Sequence, residues 1–84
     1  MKFVNSGYGN IIAADRIVAI VLPDAAPIRR MVQEARDAGH VVDATCGHRT
    51  RSVVVTDTGL LILSPLLPDT LTARMEERAD TMKL

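Results

Sequence analysis

The sequence predicts an α+β domain, a small and mostly antiparallel β-sheet with two helices. Three observations carry that expectation. Short runs rich in β-branched and aliphatic residues, at Ile17–Leu22, Ser52–Thr56 and Leu60–Leu63, read as strands. Two longer segments, one after Pro23 and one after Pro65, space their apolar residues as helices do. The elements run strands, helix, strands, helix with short connections, rather than in strict βαβ alternation.

The elements follow in order. Lys2–Val4 reads as a first strand and Asn5–Asn10 as a turn, with Gly7 and Gly9 permitting positive φ and Asn5, Ser6 and Asn10 suiting turns. Gly7-Tyr8-Gly9 lacks the third glycine and the following helix of a phosphate-binding glycine loop, so a dinucleotide or P-loop reading is set aside. Asn10–Ala13 is a second strand, interrupted by Asp15-Arg16. Ile17–Leu22 is a third, buried on both faces or against a partner, and Pro23 ends it.

Asp24 and Pro27 mark the start of the first helix, with proline in the first turn where its missing N–H costs nothing. Ile28, Met31, Val32 and Ala35 form its buried face, and Gly39 stops it as a left-handed cap. Arg29, Arg30 and Arg36 read as a solvated face.

Val41–Ala44 is a fourth strand, leading into the basic stretch Asp43–Arg51. Ser52–Thr56 is a fifth, and Asp57-Thr58-Gly59 a tight hairpin turn into the sixth, Leu60–Leu63. Pro68-Asp69 starts a second helix towards Thr81, with Leu71, Met75, Arg78 and Met82 on one stripe. Residues 76–84 are expected to fray as a polar tail of a single domain spanning 1–84.

Composition narrows the function. At 84 residues the chain is near the small end of what folds alone, yet 48% of it is hydrophobic and only Phe3 and Tyr8 are aromatic. A chain this size does not bury so much Val, Ile, Leu, Ala and Met privately, so a homo-oligomer is expected. Net charge is zero, with seven Lys or Arg against six acids in residues 1–57 and three against four in 69–84. That argues against a strongly basic nucleic-acid binder acting as a single copy. Cys46 alone makes no intrachain disulfide, which fits a reducing cytoplasm. The start, Met1–Gly7, lacks the apolar core of a signal peptide, and the longest apolar run is far below the roughly 20 residues of a membrane span.

Within Asp43–Arg51, His48, Arg49 and Arg51 cluster with Thr45 and Thr50, and no acid lies between Asp43 and Asp57. Guanidinium forks and hydroxyls on a turn suit phosphate or carboxylate oxygens, although a basic turn is more often simply a solvated one. Cys46 and His48 lack an orienting acid or oxyanion donor, so a catalytic thiol is not supported. Cys46, His48, His40 and Asp43 lack a paired metal-ligand motif. With no Ser-His-Asp order, no paired carboxylates and no aromatic platform for bases, no enzyme, cofactor, metal or small-molecule substrate is expected.

Three motifs in one order resemble the RemA family of extracellular matrix regulators. They are Asn5-Ser6-Gly7-Tyr8-Gly9-Asn10 with Asp15-Arg16, then Ala26–Arg36, then Asp43–Arg51, and together they cover residues 2 to about 75. The resemblance implies a small bacterial DNA-binding protein with a LytTR-like fold. It also implies assembly into rings and stacked rings upstream of operons for biofilm matrix and osmoprotection. It places DNA contacts at Arg16 and at a pair of residues after the glycine of the basic turn, which fall on His48 and Arg49. Arg49 matches; His48 departs from the usual arginine, and an imidazole carries little charge at neutral pH. Arg51 also matches a family position. A ring would repeat a weak basic contact many times, which reconciles DNA binding with zero net charge. The competing expectation is a structural ring or filament whose basic turn pairs with a neighbour's acids, such as Asp43 or Asp57.

Overall fold

A computed structural model describes residues 3–5, 7 and 11–82. It shows an α+β domain. Strands β1 (Phe3–Asn5) and β2 (Ile11–Ala13) form an antiparallel hairpin. A 3-10 turn at Ala14–Arg16 leads into β3 (Ile17–Val21). Helix α1 (Ala26–Asp37) follows, then β4 (Val41–Asp43), β5 (Ser52–Thr56), β6 (Leu61–Ser64) and helix α2 (Pro68–Met82).

The main sheet has the order β3-β5-β6-β4 and is mixed. Strand β5 pairs antiparallel with β3 and with β6, whereas β4 runs parallel to β6. The sheet is therefore not antiparallel throughout: the chain enters β4 from α1, whose crossover delivers it in the direction of β6.

Alternation along the strands builds two cores. On one face Val53, Leu61 and Leu63 meet Ile28, Met31, Val32 and Ala35 of α1, the stripe that the helical spacing predicts. On the other face Val54 and Ile62 meet Leu71 and Met75 of α2, with Ile12 of the hairpin and Ala44. Three successive valines of β5 serve both faces because that strand is central. Met75 is the last residue of the α2 stripe whose side chain is described; α2 continues to Met82, and the expected contributions of Arg78 and Met82 and the fraying of 76–84 lie outside the described side chains.

Local chemistry accounts for most boundaries. Gly39, at φ +76°, donates its N–H to the Arg36 carbonyl (3.0 Å), and His40 donates to the Ala35 carbonyl (2.8 Å). This pair of bonds is a Schellman cap. At the other end Pro27 lies in the first turn as expected, but the cap position is Ala25, with no side-chain bond, rather than Asp24. Asp57–Gly59 makes the three-residue β5–β6 loop, with Gly59 at φ +84° donating to the Thr56 carbonyl.

One expectation changes. Ile17–Leu22 is not buried on both faces; β3 is an edge strand, its register shifts between Ile17 and Ala19, and Val18 is 67% exposed. The segment between β4 and β5 is not a hairpin. Those strands lie on opposite sides of β6, so the basic segment crosses over its C-terminal end.

Candidate functional site

The crossover segment is held at both ends by the strand it passes. Ala44 donates its N–H to the Leu63 carbonyl (2.9 Å), and Arg51 donates to the Ser64 carbonyl (2.8 Å). Between them the chain reverses in a tight turn, in which His48 donates to the Thr45 carbonyl (3.0 Å). The two central residues, Cys46 (φ +52°) and Gly47 (φ +83°), both have left-handed backbone. Positive φ at both positions marks a type I′ geometry, here used away from a hairpin.

The entry to the turn is fixed by Asp43. Its carboxylate accepts bonds from the Thr45 hydroxyl and from the Thr45 backbone N–H (2.9 Å). The hydroxyl bond, then the backbone bond, hold the carboxyl below its ordinary value, with a smaller contribution from the Arg36 charge. Ala44 and Thr45 are buried; Cys46, Gly47, His48 and Arg49 are exposed. A buried anchor thus presents an exposed basic tip.

His48, Arg49 and Arg51 line one open cleft of about 560 Å³. Its other side comprises Asn5 and Gly7 of the hairpin, Pro65 and Leu66 after β6, and Arg74 of α2. Among the described residues no acid lines it. The glycine at position 7 is required there. Its φ is +115°, and a Cβ on it would stand 3.0 Å from Pro65 Cγ. The Asn5 side-chain oxygen accepts the Gly7 N–H at 2.8 Å and fixes the turn.

Arg16 lies elsewhere. It precedes β3 and donates from Nη1 to Asp57 Oδ2 at 3.1 Å, beyond the Thr56 end of β5. The cleft lies beyond the Ser52 end of that strand, and five residues of β-strand separate the two by roughly 13 Å. Of the four residues expected at the site, the fold gathers His48, Arg49 and Arg51 and sets Arg16 apart. Arg74 was absent from the expectation. Its only local sign is its place three residues after the buried Leu71, which turns it to the inner side of α2.

Cys46 is exposed on the turn. Among the described residues no group of three His, Cys, Asp or Glu side chains could hold a metal ion. Among the described residues no helix is long and apolar enough to cross a membrane.

A protein from Bacillus cytotoxicus, named "Putative regulatory protein", is 51% identical over 80 residues, covering 95% of this chain and 92% of the relative. Relatives of the same description from Bacillus mycoides and Bacillus cereus match at the same identity and coverage. Family and relatives' names indicate a regulatory rather than an enzymatic protein. The RemA-like family, described as "Extracellular matrix regulatory protein A-like", matches residues 3–75, and the chain belongs to it.

Proposed function

We propose that this protein is an oligomeric, LytTR-like DNA-binding regulator of the matrix and biofilm type, acting in the cytoplasm as a ring of identical copies. The observation that carries this reading is the cleft in which His48, Arg49 and Arg51 meet with no acid among its described lining residues. Such a surface suits phosphate oxygens, and Arg49 and Arg51 offer forked donors while His48 assists. Within one protomer Arg16 is too far from this cleft to grip the same phosphate. It engages the same duplex at a separate phosphate or from a neighbouring copy.

The apolar surface supports assembly. Leu22 is 56% and Leu67 50% exposed, and with Ile20, Ala25, Ile28 and Pro68 they line a shallow apolar cleft. Apolar surface of that kind is the usual mark of a subunit interface. Copies joined there repeat the basic cleft around the ring, and repetition converts a weak contact into a strong one.

A gel-shift series on duplex DNA across ionic strength tests the reading, with light scattering to follow the oligomer. Binding is expected to weaken steeply with salt. Arg49→Ala is expected to lose DNA while keeping its assembly. A variant that falls apart while the wild type binds no DNA at low salt favours a purely structural ring instead.

A further inference from the structure

The basic cleft has a wall that the crossover segment does not supply. Arg74 projects into it from α2 and is half-buried there. Its Nη1 donates to the Asn5 carbonyl at 3.0 Å. That bond ties α2 to the hairpin and sets the guanidinium opposite the basic tip.

We propose that Arg74 is a further phosphate-binding residue of this cleft, pre-positioned by the Asn5 carbonyl. The proposal rests on the DNA-binding reading for its natural ligand, the phosphodiester backbone of duplex DNA.

The charge balance supports it. Arg16 spends its charge on the Asp57 carboxylate, the ion pair found among the described residues. Arg74 is bonded instead to a neutral carbonyl. Among the described residues neither it nor Arg49 nor Arg51 has a carboxylate partner. A guanidinium has five N–H donors, and the Asn5 bond engages one, so donors and full charge remain for an anion. Tethering also lowers the cost of binding. A free arginine loses much rotamer freedom when it grips a ligand, whereas a side chain already held in place loses less. The same Asn5 uses its side chain to hold Gly7, so one residue orients both the rim and the arginine. The cleft, at about 560 Å³, is large enough for a free nucleotide-sized phosphate as well, since small-ligand pockets span roughly 300–1,000 Å³. The shared chemistry is the phosphate oxyanion, and the two sources separate by experiment.

The test measures duplex binding by fluorescence anisotropy across salt for the wild type, Arg74→Gln, Arg74→Lys and Arg30→Gln. Gln keeps a polar side chain of related shape but has no charge. It is expected to reduce the salt slope by about one for each protomer engaged, as loss of one phosphate contact requires. Lys is expected to restore most of the slope, and Arg30→Gln, on the exposed face of α1, to leave it unchanged. A wild-type slope in Arg74→Gln, or an equal fall in Arg30→Gln, overturns the role of Arg74 while leaving DNA binding intact. A parallel arm titrates the wild type with inorganic pyrophosphate and follows arginine Nε–H signals by NMR, which needs no variant to fold. Movement of Arg49 without Arg74 overturns the proposal. If the wild type binds no duplex, yet pyrophosphate moves Arg74 and Arg49 together, the anion site stands and the DNA reading falls. Silence in both arms overturns both.

Discussion

Arg16 holds Asp57 at 3.1 Å beyond one end of β5, while the Arg49 and Arg51 cleft opens beyond the other. Both members of the pair are solvated, at 62% and 43% exposure. An exposed pair of this kind stabilises a fold by less than about 1 kcal/mol. Asp57→Asn is therefore expected to leave the thermal midpoint nearly unchanged. If Arg16 contacts DNA, freeing it from its carboxylate raises duplex affinity several-fold, measured by anisotropy at low salt. Unchanged affinity shows that Arg16 has no part in binding.

Gly7 sets the approach of the hairpin to Pro65. Gly7→Ala adds a Cβ 3.0 Å from Pro65 Cγ and imposes positive φ on an L residue. Strain and crowding together are expected to cost about 1–3 kcal/mol. Gly59→Ala has the strain without the crowding, since open space surrounds that position. Chemical denaturation should therefore rank Gly7→Ala as the more damaging, and only Gly7→Ala should also disturb the cleft.

Cys46 occupies left-handed backbone without being glycine. A β-branched residue tolerates that conformation poorly, and Asn tolerates it well. Cys46→Val is expected to destabilise by about 1–2 kcal/mol, and Cys46→Asn to be neutral or mildly stabilising. Urea midpoints of the two variants check this. Equal midpoints would show that the turn relaxes out of its left-handed form.

Asp43 links the turn to acid stability. Bonds from the Thr45 hydroxyl and N–H hold its carboxyl low in the folded chain. The stability it contributes is complete above the unfolded value, near 3.9, and is lost as pH falls through the lower folded value. Thr45→Val removes the hydroxyl bond, so Asp43 should titrate closer to its ordinary range and the dependence of stability on pH below about 4 should flatten. Carboxyl-carbon NMR of Asp43 reads the shift directly; an unmoved titration assigns the effect elsewhere.

Leu71 is among the most deeply buried side chains and anchors α2 on Val54 and Ile62. Leu71→Ala is expected to cost about 2–5 kcal/mol. Because α2 also carries Arg74, the variant should lose duplex affinity together with stability. Arg74→Gln should lose affinity alone, a contrast that calorimetry and anisotropy on both variants would display.

Much of this fold is legible in local sequence because local chemistry fixes it. The stripe of Ile28, Met31, Val32 and Ala35, the Gly39 cap and the Asp57–Gly59 loop each depend on residues within a few positions of one another. The basic character of His48, Arg49 and Arg51 is equally local. The neighbours of β4 are not. Val41–Asp43 carries no mark that tells pairing with β5 from pairing with β6, because a hydrogen-bond ladder is made of backbone and is blind to side chains.

The sequence by itself determined the α+β class, the places of the helices and strands to within a residue or two, and the basic stretch from Asp43 to Arg51. Only the tertiary structure decided that this turn crosses the end of β6 and that Arg16 faces Asp57 at the far end of the sheet. It alone brought Arg74, 23 positions after Arg51, into the same cleft. The reason is physical: a binding surface forms where segments remote in sequence are packed together, and that packing is settled by which faces of the central valine-rich strand each helix covers.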